Sequence, residues 1–126
     1  MNKTIHTTDK APAPVGPYSQ AVEVDGWIFC SGQIPLDADS GELLKGPIPE
    51  QTHKVMANIK AVLDAAKLDF SNIIKTTIFL RDMNDFAAMN EVYASYFTEQ
   101  PPARSCVQAA RLPKDVDVEI EVIAKR

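Results

Sequence analysis

Cysteine is scarce in this chain. Cys30 and Cys106 are far apart, with no CxxC or comparable spacing, which excludes a disulfide scaffold and a cysteine-held metal centre. Two reduced thiols are the simplest reading, and a Cys30–Cys106 disulfide is the alternative. Histidine is equally sparse: His6 and His53 are isolated, so no metal site is expected. Long apolar runs are missing too. No stretch approaches the roughly 20 apolar residues of a membrane helix. The start, Met1 to His6, has no apolar run after Lys3, so a secretory signal is not expected. A cytoplasmic protein without membrane attachment is the expectation. Positive charge is in deficit: 13 Lys and Arg against 17 Asp and Glu give a net charge of −4 and a pI of about 5.1. Affinity for a phosphate backbone rests on cations that release counterions, so no nucleic-acid partner is expected. A phosphate loop, paired metal ligands and a Ser/His/Asp triad are all lacking.

What remains is an ordinary soluble composition. The chain has 126 residues, 45% of them hydrophobic. That fits one domain, residues 1–126, with enough chain to bury a core. Lys3 to Thr8 reads as a short strand. Lys10 to Pro17 is rich in proline and must be an extended loop. Tyr18 to Val24 and Trp27 to Gln33 read as strands joined by Asp25-Gly26, a strong hairpin signal. A polar loop, Leu36 to Pro49, leads to a helix over Glu50 to Leu68, where Val55, Ile59, Val62, Leu63 and Ala66 form one apolar stripe. Ser71 to Leu80 is β-branched and reads as a buried strand. Asn84 or Asp85 caps a second helix through about Phe97, with Phe86, Met89, Val92, Tyr93 and Phe97 as its stripe. Two extended segments, Ala103 to Gln108 and Val116 to Lys125, close the chain.

Two helices cover one face of such a sheet. The second face is expected to carry Trp27 or Phe29, Cys106 and Ile123. A half-apolar second face calls for a homo-oligomer with sites at the subunit seams; scattered surface apolar groups are the alternative.

The candidates for chemistry concentrate in the last quarter. Strand alternation puts Arg104, Cys106 and Gln108 on one face of the first segment, and Asp117, Glu119, Glu121, Ile123 and Lys125 on one face of the second. If those faces share a side of the sheet, Arg104 and Glu119 converge on one small ligand. Arg104 is either a surface ion-pair residue or a planar fork for a carboxylate, a geometry lysine does not copy. Glu121 reads as solvated; Glu119 lies deeper and suits the holding of a water. Cys106 is either a small buried hydrophobe or a nucleophile, and no histidine is placed to act as its base. Tyr18 is core or a hydroxyl in a site. Ser31-Gly32-Gln33 ends a strand, and Gly32 permits close backbone approach or a bulge. Asn90 is a surface amide or one turned toward a seam.

Taken together, several stretches resemble the Rid (reactive intermediate deaminase, YjgF-like) family. They are Gly16-Pro17-Tyr18-Ser19-Gln20-Ala21, Ser31-Gly32-Gln33-Ile34-Pro35, Asn58 to Leu63, Lys75 to Leu80, Pro102-Ala103-Arg104-Ser105-Cys106-Val107, Leu112-Pro113-Lys114-Asp115 and Val118-Glu119-Ile120-Glu121. The likeness runs in order along essentially the whole chain. It implies a chorismate-mutase-like α+β fold: a six-stranded, mostly antiparallel sheet with two helices on one face, assembled as a homotrimer with sites at subunit interfaces. It implies a hydrolase acting on 2-imino acids and their enamines, 2-aminoacrylate and 2-aminocrotonate, to give 2-keto acids and ammonia without a cofactor. Arg104 matches the family's carboxylate-binding arginine and Glu119 its water-holding glutamate. Tyr18, Ser31, Gly32, Asn90 and Cys106 match positions that line the cleft. The connection Thr98 to Pro102 is shorter than in many members and lacks the aromatic residue often found there, which bears on cleft size. A non-catalytic trimeric sensor of small 2-keto acids is the alternative function, and an RNA-directed role is a further one.

Overall fold

A computed structural model describes residues 1–126. The strands are β1 (Thr4–His6), β2 (Ala21–Val24), β3 (Trp27–Gln33), β4 (Ile73–Leu80), β5 (Ala103–Gln108) and β6 (Val118–Lys125); the helices are α1 (Ile48–Ala65) and α2 (Phe86–Ala94). One six-stranded sheet has the order β1-β2-β3-β6-β4-β5. Every pairing is antiparallel except β4 with β5. The expected α+β fold is therefore present, with β6 inserted between β3 and β4.

Local chemistry explains the elements. Asp25 and Gly26 both take positive φ, 52° and 80°, as a two-residue type I′ hairpin requires. α1 starts at Ile48, two residues before the expected Glu50. Pro47 is extended at the N-cap, and Pro49 sits in the first turn, where its missing N–H is no loss. α1 also ends earlier than Leu68. The amides of Lys67 and Leu68 fold back onto the carbonyls of Asp64 and Leu63, and Lys67 takes φ 59°; this is a Schellman ending. α2 stops at Ala94 rather than Phe97. Beyond it the amides of Ser95, Tyr96 and Phe97 bond three residues back, a tightened last turn. Asp85 does take the N-cap position of α2, but its side chain makes no capping hydrogen bond; the capping carboxylate is that of Asp82, which accepts from Asn84 N–H at the preceding 3₁₀ turn.

Both helices pack on one face. Ile28, Ile78, Val118, Ile120 and Ala124 point to them and are fully buried, with Met56, Ile59 and Leu63 of α1 above. Truncating one such residue, Ile120 to alanine, would cost roughly 2–5 kcal/mol. The opposite face has no covering layer. Trp27, Phe29 and Val107 there are 42%, 46% and 46% exposed, with Ile123 level with Phe29. The expectation for Trp27, Phe29 and Ile123 holds; that for Cys106 does not. Cys106 pairs with Ile78, which is fully buried, so its side chain faces the helices and packs on the core. Both thiols are free. No helix is long and apolar enough to cross a membrane.

Candidate functional site

The residues singled out from the sequence fall into two groups. Tyr18, Ser31, Gly32 and Glu119 line a cleft of about 480 Å³. β3 and β6 build its floor. Between Cys30 and Gln33 the ladder slips, so Ser31 and Gly32 together face one residue, Glu121, on β6. Gly32 lies directly beneath the Glu119 side chain: a Cβ there would sit 2.5 Å from Oε2. Only glycine leaves this carboxylate its place. Glu119 is half-buried and engages no hydrogen bond or ion pair. Burial, reinforced by the like charge of Glu121, raises its pKa above the ordinary carboxylate value.

The outer wall is the proline-rich loop, and one buried amide holds it. Gln20 Nε2 donates to the carbonyls of Thr8 and Pro12, at 3.0 and 2.9 Å, and its Oε1 accepts from Thr8 N–H at 2.7 Å. The Ser31 hydroxyl donates to Ser19 C=O at 2.6 Å, which joins the loop to the bulge. The Tyr18 hydroxyl accepts from Val15 N–H at 3.3 Å. Gln20, Gln33 and Lys114 also line the cleft and were not among the sequence candidates. Gln20 and Gln33 are each less than 10% exposed. Their positions inside apolar strand ends were the available signal, because a buried amide must find partners.

Arg104, Asn90 and Cys106 lie elsewhere. Arg104 Nη1 donates to Asn90 Oδ1 at 2.6 Å. Its guanidinium carbon lies 4.9 Å from the centre of the Tyr93 ring and 5.4 Å from that of Phe86, within cation–π range. Cys106 follows along β5. Burial pushes its thiol up, and the Arg104 charge only partly offsets this; such a thiol is not an activated nucleophile. Cys30 is pushed up to about 12 by burial.

The expected convergence of Arg104 and Glu119 on one side of a single sheet fails. Arg104 is level with Thr76 on β4, and Glu119 is level with Phe79. Thr76 and Phe79 lie on opposite faces of β4, because side chains alternate. Arg104 thus faces the helix layer and Glu119 the open face, with β4 between their strands. One chain presents two separate groups. The first offers an arginine whose Nε and Nη2 donors are free, and the second a carboxylate with no partner.

A family model described as Endoribonuclease L-PSP matches residues 8–126. The chain belongs to this family. Its members include Rid and RutC proteins. A RutC family protein of Pyrococcus abyssi is 53% identical over 124 residues, 98% of each chain. The 2-iminobutanoate/2-iminopropanoate deaminase of Mus musculus is 50% identical over 124 residues, 98% of this chain and 91% of the mouse protein. Among solved structures, E. coli TdcF with bound serine superposes with a TM-score of 0.93 at 46% identity, covering 98% of both chains. The expected YjgF-like architecture is therefore the observed one.

Proposed function

We propose that this Rid-family chain hydrolyses 2-imino acids, the 2-iminobutanoate and 2-iminopropanoate that arise from 2-aminocrotonate and 2-aminoacrylate, to 2-keto acids and ammonia. The observation that carries this reading is the 50% identity to the mouse 2-iminobutanoate/2-iminopropanoate deaminase over 98% of this chain. The serine bound in TdcF, 46% identical, supports a ligand with an α-carboxylate. We read the Arg104 group and the Glu119 group as two half-sites that supply the groups the reaction requires.

In this mechanism Arg104 pairs its free edge with the substrate carboxylate, a bidentate contact that lysine does not reproduce. The enamine takes a proton at carbon and becomes the iminium. Glu119 orients a water and removes its proton as the oxygen bonds to C2. Glu119 passes that proton to nitrogen; as the C–N bond breaks and ammonia leaves, the hydroxyl of the carbinolamine gives its proton back to Glu119 and becomes the keto-acid carbonyl, which balances the proton taken up at carbon. Iminium ions are already strong electrophiles, so positioning and modest base catalysis suffice. Because Arg104 and Glu119 of one chain lie on opposite faces, the working site takes Arg104, Asn90 and Cys106 from one subunit, and Tyr18, Ser31, Gly32 and Glu119 from another. The uncovered apolar face with Trp27 and Phe29 gives the subunits a surface on which to assemble, and a homotrimer is the proposed state.

An RNA-cleaving role, named in the family description, fits less well. The net charge is −4. His6 and His53 are engaged elsewhere, with Glu23 and with the Tyr96 hydroxyl.

A dehydratase generating the enamines in place, with a chemical trap competing for them, provides the test. Wild type is expected to release keto acid faster than the trap captures imine, and Arg104→Ala is not. If wild type matches buffer while binding 2-oxobutanoate in a calorimeter, the chain is a keto-acid sensor.

A further inference from the structure

Arg104 stands on an edge strand and is exposed. A free arginine there would sample many rotamers, and fixing them costs side-chain entropy. Here it is fixed before any ligand arrives. Asn90 Oδ1 takes Nη1–H at 2.6 Å, and the Phe86 and Tyr93 rings flank the guanidinium at 5.4 and 4.9 Å. All three holders project from α2, Asn90 one turn on from Phe86 and Tyr93 one turn further, which is the spacing that stacks side chains on one helix face. The Tyr93 ring is itself locked. Only 5% of it is exposed, and its hydroxyl shares a 2.9 Å hydrogen bond with the buried Thr76 Oγ1. Thr76 is the β4 residue level with Arg104, so the clamp ties α2, β4 and β5 together.

We infer that Phe86, Asn90, Tyr93 and Thr76 are positioning residues that hold Arg104 with its Nε–Nη2 edge turned outward as a ready-made carboxylate fork. This rests on the reading of Arg104 as the carboxylate-binding group and deepens it. Asn90 consumes one donor on Nη1 and leaves the two parallel N–H bonds of the opposite edge, the pair that matches a carboxylate's two oxygens. Asn90 then acts on the ligand through Arg104. The holder must also be neutral. A carboxylate at position 90 would keep the same shape and the same hydrogen bond, but it would satisfy the guanidinium charge and compete with the substrate. The rings hold the cation without neutralising it, and burial keeps the Tyr93 phenol protonated.

The discriminating experiment compares Asn90→Asp with Asn90→Ala. Each is titrated with 2-oxobutanoate by calorimetry, and KM and kcat are read on dehydratase-generated imine. Melting temperature and oligomeric mass are checked in parallel. Asn90→Asp is expected to weaken 2-oxobutanoate binding about tenfold and raise KM in step, with kcat nearly kept and melting temperature equal or higher. Asn90→Ala is expected to lose about threefold. Tyr93→Leu should lose about tenfold, and Tyr93→Phe, which keeps the ring, should restore most of it. Asn90→Asp binding 2-oxobutanoate as tightly as wild type would overturn the inference, because a merely structural amide tolerates that change. If wild type binds 2-oxobutanoate but hydrolyses no imine, the deaminase reading falls and the platform is judged on dissociation constants alone. If wild type shows neither binding nor turnover, the platform itself is wrong.

Discussion

Arg104 and Glu119 are two charged side chains on strands that flank β4 in one sheet, and their surroundings are opposites. Arg104 is exposed yet held on three sides, by an amide and two ring faces. Glu119 is half-buried yet held by nothing, with only Gly32 beneath it and with burial and Glu121 opposing its ionisation. In the proposed mechanism the contrast separates two tasks. A group that binds a carboxylate should keep a constant charge and a constant position, and neutral holders achieve that. A group that takes and returns a proton must have both protonation states within reach, and fixed cationic partners would prevent that by depressing its pKa.

The sharpest way to break the comparison is to separate the two halves genetically. Arg104→Ala and Glu119→Gln should each lower kcat/KM at least about 100-fold, the first through lost charge-assisted hydrogen bonds and the second through a lost base. Unfolding the two variants together and refolding them should restore about one quarter of wild-type activity, because in a closed ring one seam in four draws both intact halves. A mixture as inactive as its components would mean that the halves do not meet across subunits.

Gly32→Ala probes the Glu119 side alone. The added methyl meets the carboxylate rather than backbone, so the fold should hold. Displacing the base by about 1 Å should cost on the order of 10- to 100-fold in kcat. Keto-acid binding through Arg104 should weaken far less, and a parallel loss of both would blur the division of labour.

A smaller effect concerns pH. In the proposed mechanism Glu119 is the base, and its pKa is raised in the folded protein, so activity should climb as pH rises through that raised pKa. The same shift favours the folded state at low pH, and this contribution is lost as pH rises through the folded-state pKa. Glu121→Gln removes the like charge and should move the acid limb of the rate profile to lower pH. A limb that stays put would assign the ionisation to another group.

The smallest effect is a control remote from both halves. Lys67 is held at φ 59°, so Lys67→Gly should raise stability by about 1 kcal/mol in urea unfolding while turnover is unchanged.

The sequence by itself determined which residues share a face along each strand and each helix stripe, because backbone periods of 2 and 3.6 are local properties. It determined the Asp25-Gly26 turn, the span of β3 and the apolar Trp27–Phe29 side. Arg104, Cys106 and Gln108 do share a face, as do Glu119 and Glu121. Which side of the sheet each set takes was decided only by tertiary structure. β5 joins β4 in parallel through α2, and β6 inserts on the other side of β4. That arrangement turned Cys106 inward and set Arg104 and Glu119 on opposite faces. The same long-range packing brought Phe86 and Tyr93 of α2 against Arg104, and the buried amide of Gln20 against the proline-rich loop. Strand order and direction rest on contacts between residues distant in sequence, and the alternation within any one strand is the same whichever neighbour it finds.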